Sequence, residues 1–200
     1  MNERRMSAFS RVLAFVGALA LAACSAEAPD DPPLKGARIG GPFALTDQNG
    51  RKVTDADFRG KYRIMYFGFT HCPDVCPTDL AAISRGLKAF EAKDPARAAK
   101  VVPVFVTVDP ERDTPPVMKE YIANFHPRLV GLTGSPEDVA RVAKEYAVWF
   151  QKGDAQPDGA YNVNHSRSEI LMSPAGEPIA LLPDDKGVDG IAAELDRWVK

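Results

Sequence analysis

The sequence predicts an α/β fold: a central, mostly parallel sheet flanked by helices, with an N-terminal β-hairpin. Three observations carry that reading. Two compact apolar runs, "RIMYFGF" (63–69) and "VVPVFVTV" (101–108), suit buried strands. The segments after them place apolar residues at helical spacing. Strands alternating with helices in this way require a largely parallel sheet covered on both faces.

Each element has its own signal. Phe43, Leu45 and Val53 flank Asn49-Gly50, a dipeptide suited to a tight hairpin turn. After the strand at 63–69, Leu80, Ile83, Leu87 and Phe90 line one side of a helix. The strand at 101–108 leads to Thr114-Pro115, a cap followed by the proline that favours a first helical turn; Met118, Tyr121, Ile122 and Phe125 form its apolar face. Leu129 to Leu132 reads as a short strand, and Ser135-Pro136-Glu137-Asp138 opens a helix continuing through Val139, Val142, Ala143 and Tyr146. Gln151 to Asn164 is polar and glycine-bearing, and reads as a loop. Glu169–Met172 and Pro178–Leu182 form a second hairpin around Ser173-Pro174-Ala175-Gly176. Asp189 is placed as the cap of a last helix that turns Ile191, Leu195 and Trp198 inward.

The chain divides into three parts. Residues 1–23 read as a bacterial export signal, with Arg4, Arg5 and Arg11 ahead of a short apolar run from Val12 to Ala23. That run falls short of the ~20 residues a membrane-spanning helix needs. Leu21-Ala22-Ala23-Cys24 resembles a lipobox, which makes Cys24 the expected lipidation site and new N-terminus. Residues 24–40, polar and proline-rich, are expected to be a flexible tether. Residues 41–200 form the folded domain. The expected location is the bacterial cell envelope, lipid-anchored, with the domain in the periplasm. A net charge of −2 offers no basic footprint, so nucleic acid is not an expected partner.

With Cys24 assigned to the lipid, Cys72 and Cys76 are left together in "GFTHCPDVCPTD" (68–79). A disulfide between them would close a loop too short to stabilise the fold much. Chemistry is the better reading, because the pair follows the first core strand at the sheet edge where α/β sites form. Pro77 suits a first helical position, making Cys76 the expected N-cap with Asp79 three residues on. The helix terminus would then lower the thiol pKa values. Thiolates serve disulfide exchange and metal binding alike, and three intervening residues allow both. A two-sulfur site for copper(I) or zinc recruits a further ligand, often imidazole. Of three histidines, His71 is next to Cys72 and extended backbone would point it away. His126, before Pro127, reads as a solvated helix C-terminus. His165 precedes the second hairpin, where it can face the thiols, and is the strongest candidate.

Three segments together resemble the Sco/SenC family, the copper chaperones of cytochrome c oxidase assembly: "YFGFTHCPDVCPTDL", "VFVTVDPERDTP" and "YNVNHSRSEILMSPAGE". The resemblance runs from about Gly41 to the C-terminus. It implies a thioredoxin-like fold and a copper site, for Cu(I), Cu(II) or both, made by Cys72, Cys76 and His165, the cysteines being able to close as a redox-active disulfide. Asp109, inside the family's Asp-Pro-Glu-Arg-Asp-Thr signature, is then either a residue that tunes the thiol pair or one that caps the turn before Pro115. Many relatives place aspartate directly before the histidine, where this chain has Asn164. The implied partners are cytochrome c oxidase subunit II as acceptor, an upstream periplasmic copper donor, and the membrane through the lipid. Residues 151–164 are the candidate docking surface. The resemblance implies a metallochaperone rather than an enzyme. A thiol-disulfide reductase that keeps the oxidase cysteines reduced uses the same cysteines, and a copper or redox sensor is a further alternative.

Overall fold

A computed structural model describes residues 31–157, 159–183 and 185–200. The stretch expected to be an export signal (1–23), the expected lipidation site Cys24 and residues 24–30 of the expected tether lie outside the described residues. The strands are β1 (Ala44–Asp47), β2 (Lys52–Thr54), β3 (Tyr62–Gly68), β4 (Val101–Thr107), β5 (Val130–Thr133), β6 (Phe150–Lys152), β7 (Val163–His165), β8 (Glu169–Met172) and β9 (Pro178–Leu181). The helices are α1 (Val75–Lys93), α2 (Pro95–Ala98), α3 (Pro115–Ile122), α4 (Pro136–Glu145) and α5 (Gly187–Trp198), with a 3-10 turn at Asp55–Phe58.

Seven strands make one sheet in the order β2-β1-β5-β4-β3-β8-β9. It is parallel at its centre, where β3 pairs with β4 from Tyr62↔Val101 to Gly68↔Thr107 and β4 pairs with β5. The N-terminal hairpin joins β5 antiparallel, and β8 and β9 join β3 in the same sense. The expected "RIMYFGF" strand is therefore the axis of the fold, and every residue of β3 is buried. Successive residues of a strand face opposite sides. Tyr66 meets Asp79 of α1, while Phe67 packs on Tyr146 just past α4, their ring centroids 5.5 Å apart. Helices thus cover both faces. On the Tyr66 side α1 lies against α5 at Gly86, where an added Cβ would sit 2.5 Å from Ile191 Cγ2; only glycine lets the helices approach this closely. The expected inward residues of α5, Ile191, Leu195 and Trp198, are all buried.

Local signals fixed several boundaries. Gly50 adopts φ 79° in the first hairpin turn, as its Asn-Gly signal requires. Thr114 and Ser135 flank α3 and α4 with proline next in each, and Ser135 Oγ accepts from Asp138 N at 3.1 Å.

Four expectations are corrected. α1 starts one residue earlier than Cys76, with Asp74 as its flanking residue and Cys76 inside the first turn. Pro77 is tolerated there because none of the first helical N–H groups has an intrahelical acceptor to lose. Asp189 lies in the first turn of α5, and Lys186 is the residue outside it. Residues 151–164 are not one loop, for β6 and β7 pair as Phe150↔His165, Gln151↔Asn164 and Lys152↔Val163, forming a two-stranded ribbon apart from the main sheet. Part of the stretch expected as tether lies against the domain, Leu34 N donating to Ile179 O at 3.0 Å and Gly40 N to Glu145 O at 2.7 Å. No helix among the described residues is long and apolar enough to cross a membrane.

Candidate metal centre

The end of β3 and the start of α1 carry both cysteines. Beyond Gly68 the chain turns at Thr70–Cys72, with Cys72 N donating to Phe69 O at 3.3 Å, and enters α1. Cys76 is fully buried, whereas Cys72 is half-buried, and both are free thiols. The Cys76 backbone N–H points at Cys72 Sγ, 3.4 Å away, so the helix terminus does serve a sulfur, that of Cys72.

His165 arrives from the far end of β7. Its Nε2 lies 3.4 Å from Cys76 Sγ, and Cys72, Cys76 and His165 place one ligand atom each within 4.8 Å of one another. The imidazole Nδ1 is 3.0 Å from Ser166 O. A carbonyl only accepts, so this contact puts the proton on Nδ1 and leaves the Nε2 lone pair aimed at the sulfurs. The ring is thus oriented by the next backbone carbonyl in the chain. Phe69 supports the ring edge-on, centroids 6.0 Å apart at 89°.

The electrostatics of the pair differ from the expectation of lowered thiol pKa values. Burial, reinforced by the neighbouring Cys72, pushes the Cys76 thiol up to about 12, against backbone and Tyr66 hydrogen bonds that favour the thiolate. Desolvation outweighs the helix terminus because Cys76 sits within the first turn, under the sheet edge, rather than at its exposed cap. Cys76 is accordingly a thiol that donates to the His165 lone pair. Tyr66 beneath it is held protonated, chiefly by burial and then by Cys76 and Asp79.

A polar layer supports these three residues, and most of it carried no sequence signal. Asp79, buried, accepts from Tyr66 OH at 2.9 Å and from Arg167 Nε and Nη2 at 3.1 and 2.6 Å. It ties the thiol helix to the chain two residues beyond His165. Asp113, fully buried, accepts from Thr70 N, Thr70 Oγ1 and Thr107 Oγ1, fixing the turn before Cys72 onto the end of β4. Arg167 and Asp113 lie within the resembling segments, but nothing in their spacing points to these contacts.

The remaining candidates lie elsewhere. Asp109 is outside the three-residue cluster, its carboxylate engaged by Arg112 and, at 2.9 Å, by Tyr161 OH. The turn before Pro115 is closed by the Asp109 backbone carbonyl, which accepts from Arg112 N and Asp113 N, not by its side chain. His71 is half-exposed, its Nδ1 3.0 Å from Thr70 Oγ1 and outside the cluster. His126 is not solvated. It is buried, accepts from Arg128 N on Nδ1 at 3.1 Å, and has Nε2 3.3 Å from Glu91, with burial lowering its pKa.

The donor set is two soft sulfurs and one imidazole, which selects soft or borderline metal ions over hard, oxygen-seeking ones. The molecule is thus a thioredoxin-like α/β domain with a two-thiol, one-imidazole centre at the end of its central strand. The chain belongs to the SCO1/SenC family, whose model matches residues 31–200. It is 40% identical over 175 residues to the mitochondrial SCO1 homolog 1 of Arabidopsis thaliana, covering 86% of this chain and 51% of that one. The chain spans about half the length of the curated relatives it matches. A solved structure of Bradyrhizobium japonicum ScoI with copper bound is 44% identical with a TM-score of 0.73, over 80% of this chain and 99% of that one. The copper-bound ScoI of Arabidopsis thaliana gives 41% and 0.74, over 80% and 97%.

Proposed function

We propose that this protein is a copper metallochaperone for cytochrome c oxidase, holding its cargo on Cys72, Cys76 and His165. The observation that carries it is the convergence of two sulfurs and an imidazole lone pair within 4.8 Å. Family membership and copper-bound relatives support copper as the ion. Two thiolates and one imidazole suit three-coordinate Cu(I). Loading exchanges protons for metal: each thiol loses its proton, and departure of the Cys76 proton also frees the His165 Nε2 pair that had accepted it. Release can run one arm at a time, an acceptor ligand replacing one protein ligand while the others hold, so that free copper is never formed.

In the same reading the acceptor is the copper site of oxidase subunit II, an upstream periplasmic donor loads the domain, and a lipid on Cys24 keeps it at the bacterial membrane. The support here is the lipobox-like ending at Cys24 and the family itself. A second reading, a thiol-disulfide reductase of the oxidase cysteines, is favoured by the half-exposed Cys72 over a buried Cys76, an attacking thiol above a resolving one.

His165→Ala separates the two. Copper titration of the reduced protein should show affinity falling by at least ~10–100-fold, with the dithiol and the fold intact. In cells the variant should lose oxidase activity at limiting copper, and added copper should partly restore it. Parent-like copper binding together with normal oxidase would end the chaperone reading and leave the reductase.

A further inference from the structure

We propose that Arg112 is the pin of a clasp that positions His165, so that the imidazole arm of the copper site is held separately from its thiols. The inference rests on the three-ligand reading above. β6 and β7 pair with each other and form no ladder with the seven-stranded sheet. Something other than sheet hydrogen bonds must therefore fix where this ribbon, and His165 at its end, stands. Val163 is buried and Phe150 packs on the core, which anchors the ribbon but gives no direction to the ring.

Direction comes from the turn after β4. The Arg112 guanidinium lies 3.6 Å from the Tyr161 ring centroid and 5.7 Å from that of Phe69. Phe69 in turn meets the His165 ring edge-on. One stack thus runs Tyr161, Arg112, Phe69, His165, from the root of the ribbon to the ligand. Arg112 Nη1 also donates to Tyr161 O at 3.0 Å, gripping the backbone two residues before β7. Asp109 completes the clasp, pairing with Arg112 and accepting from Tyr161 OH. The other strand is fastened to the same turn, Lys152 Nζ lying 2.5 Å from Glu111 and 4.1 Å from the Tyr161 centroid. Planar guanidinium suits this position because it stacks and donates in a fork at once, which an ammonium cannot. Asp109 thus acts on the site through Arg112 and Tyr161 rather than on the sulfurs.

The test uses the full reduced chain with Arg112→Lys, Tyr161→Ala and Tyr161→Phe. Arg112→Lys keeps a positive charge beside buried Asp109 and so spares the fold. Amide hydrogen exchange should rise about tenfold or more across β6 and β7 in Arg112→Lys and Tyr161→Ala, the size expected for losing one such stack. Exchange in β3 and α1 should stay at the parent rate, and Tyr161→Phe, which restores the ring, should recover most of the protection. With Cu(II) bound, nitrogen hyperfine coupling from His165 should weaken in the first two variants while thiolate absorption persists. Parent-like ribbon exchange in both, or equal acceleration of β3 and ribbon, would overturn the clasp. If the parent binds no copper, the chaperone reading falls by itself and the exchange data still decide the clasp.

Discussion

The cysteine arm and the histidine arm meet at one point but are built in opposite ways. Cys72 and Cys76 sit where the fully buried central strand, β3, runs into the longest described helix, α1. Their spacing is set by backbone that cannot shift without disturbing the core. His165 ends a three-residue strand in a ribbon outside the main sheet, placed by a stack of side chains and one carbonyl. Elements with few sheet hydrogen bonds open more easily than core strands. The contrast suits the proposed carrier role: one arm would keep the cargo and the other would be the one an acceptor displaces.

The largest effect should come from the arm that keeps the cargo. Cys72→Ser and Cys76→Ser each leave a single sulfur, and neither should retain copper through desalting at neutral pH. Oxidising the parent should do the same, since a disulfide offers no thiolate, and reduction should restore binding. Thiol labelling alongside metal analysis reads this directly. Copper retained by the fully oxidised protein would remove the cysteines from the site and dissolve the contrast.

A smaller effect should follow from disturbing that arm without touching its sulfurs. A Cβ added at Gly68 would stand 2.9 Å from Cys76 Sγ and 3.0 Å from Phe105 Cε2. Gly68→Ala overpacks a site with no slack and should cost about 1–3 kcal/mol in urea unfolding. Copper affinity should fall with it, because Cys76 must move. Unchanged stability and affinity would mean that the cysteine arm is as adaptable as the ribbon.

The same contrast explains what could be read from the sequence. The cysteine arm was legible: "RIMYFGF" is long enough to declare a buried strand, and the apolar spacing of Leu80, Ile83, Leu87 and Phe90 declares the helix. His165 stands out by elimination among three histidines and by family resemblance, while the sequence of its ribbon reads as loop. Phe-Gln-Lys and Val-Asn-His are too short and too polar for any periodicity to emerge, and their pairing depends on contacts between distant residues. Asp79 and Asp113 escaped for a related reason. An acid in a helix or a turn reads as solvated unless the fold brings a partner, and theirs, Arg167 and Thr70, are 88 and 43 residues away. The Cys76 pKa departs from the sequence expectation because the helix terminus is visible in sequence but burial is not.

That pKa sets the finest test of the comparison. In the unfolded chain the Cys76 thiol ionises near the ordinary value of 9.0; in the fold, burial raises it to about 12. An acid with a raised pKa is favoured by the fold in its protonated form. Its contribution is therefore complete below pH 9.0 and is lost progressively as pH climbs from there toward 12. Other groups ionise in the same range, so the informative quantity is a difference between proteins. The stability of the parent, followed by urea midpoint from pH 8 to pH 11 with reductant present, should decline more steeply than that of Cys76→Ser, whose hydroxyl does not ionise there. Cys72→Ser should stay closer to the parent than Cys76→Ser does, since it removes only the reinforcement from Cys72 and leaves burial, the larger cause, in place. Coincident alkaline profiles for parent and Cys76→Ser would mean that Cys76 is already solvated in the folded protein. The cysteine arm would then be no more enclosed than the ribbon that carries His165.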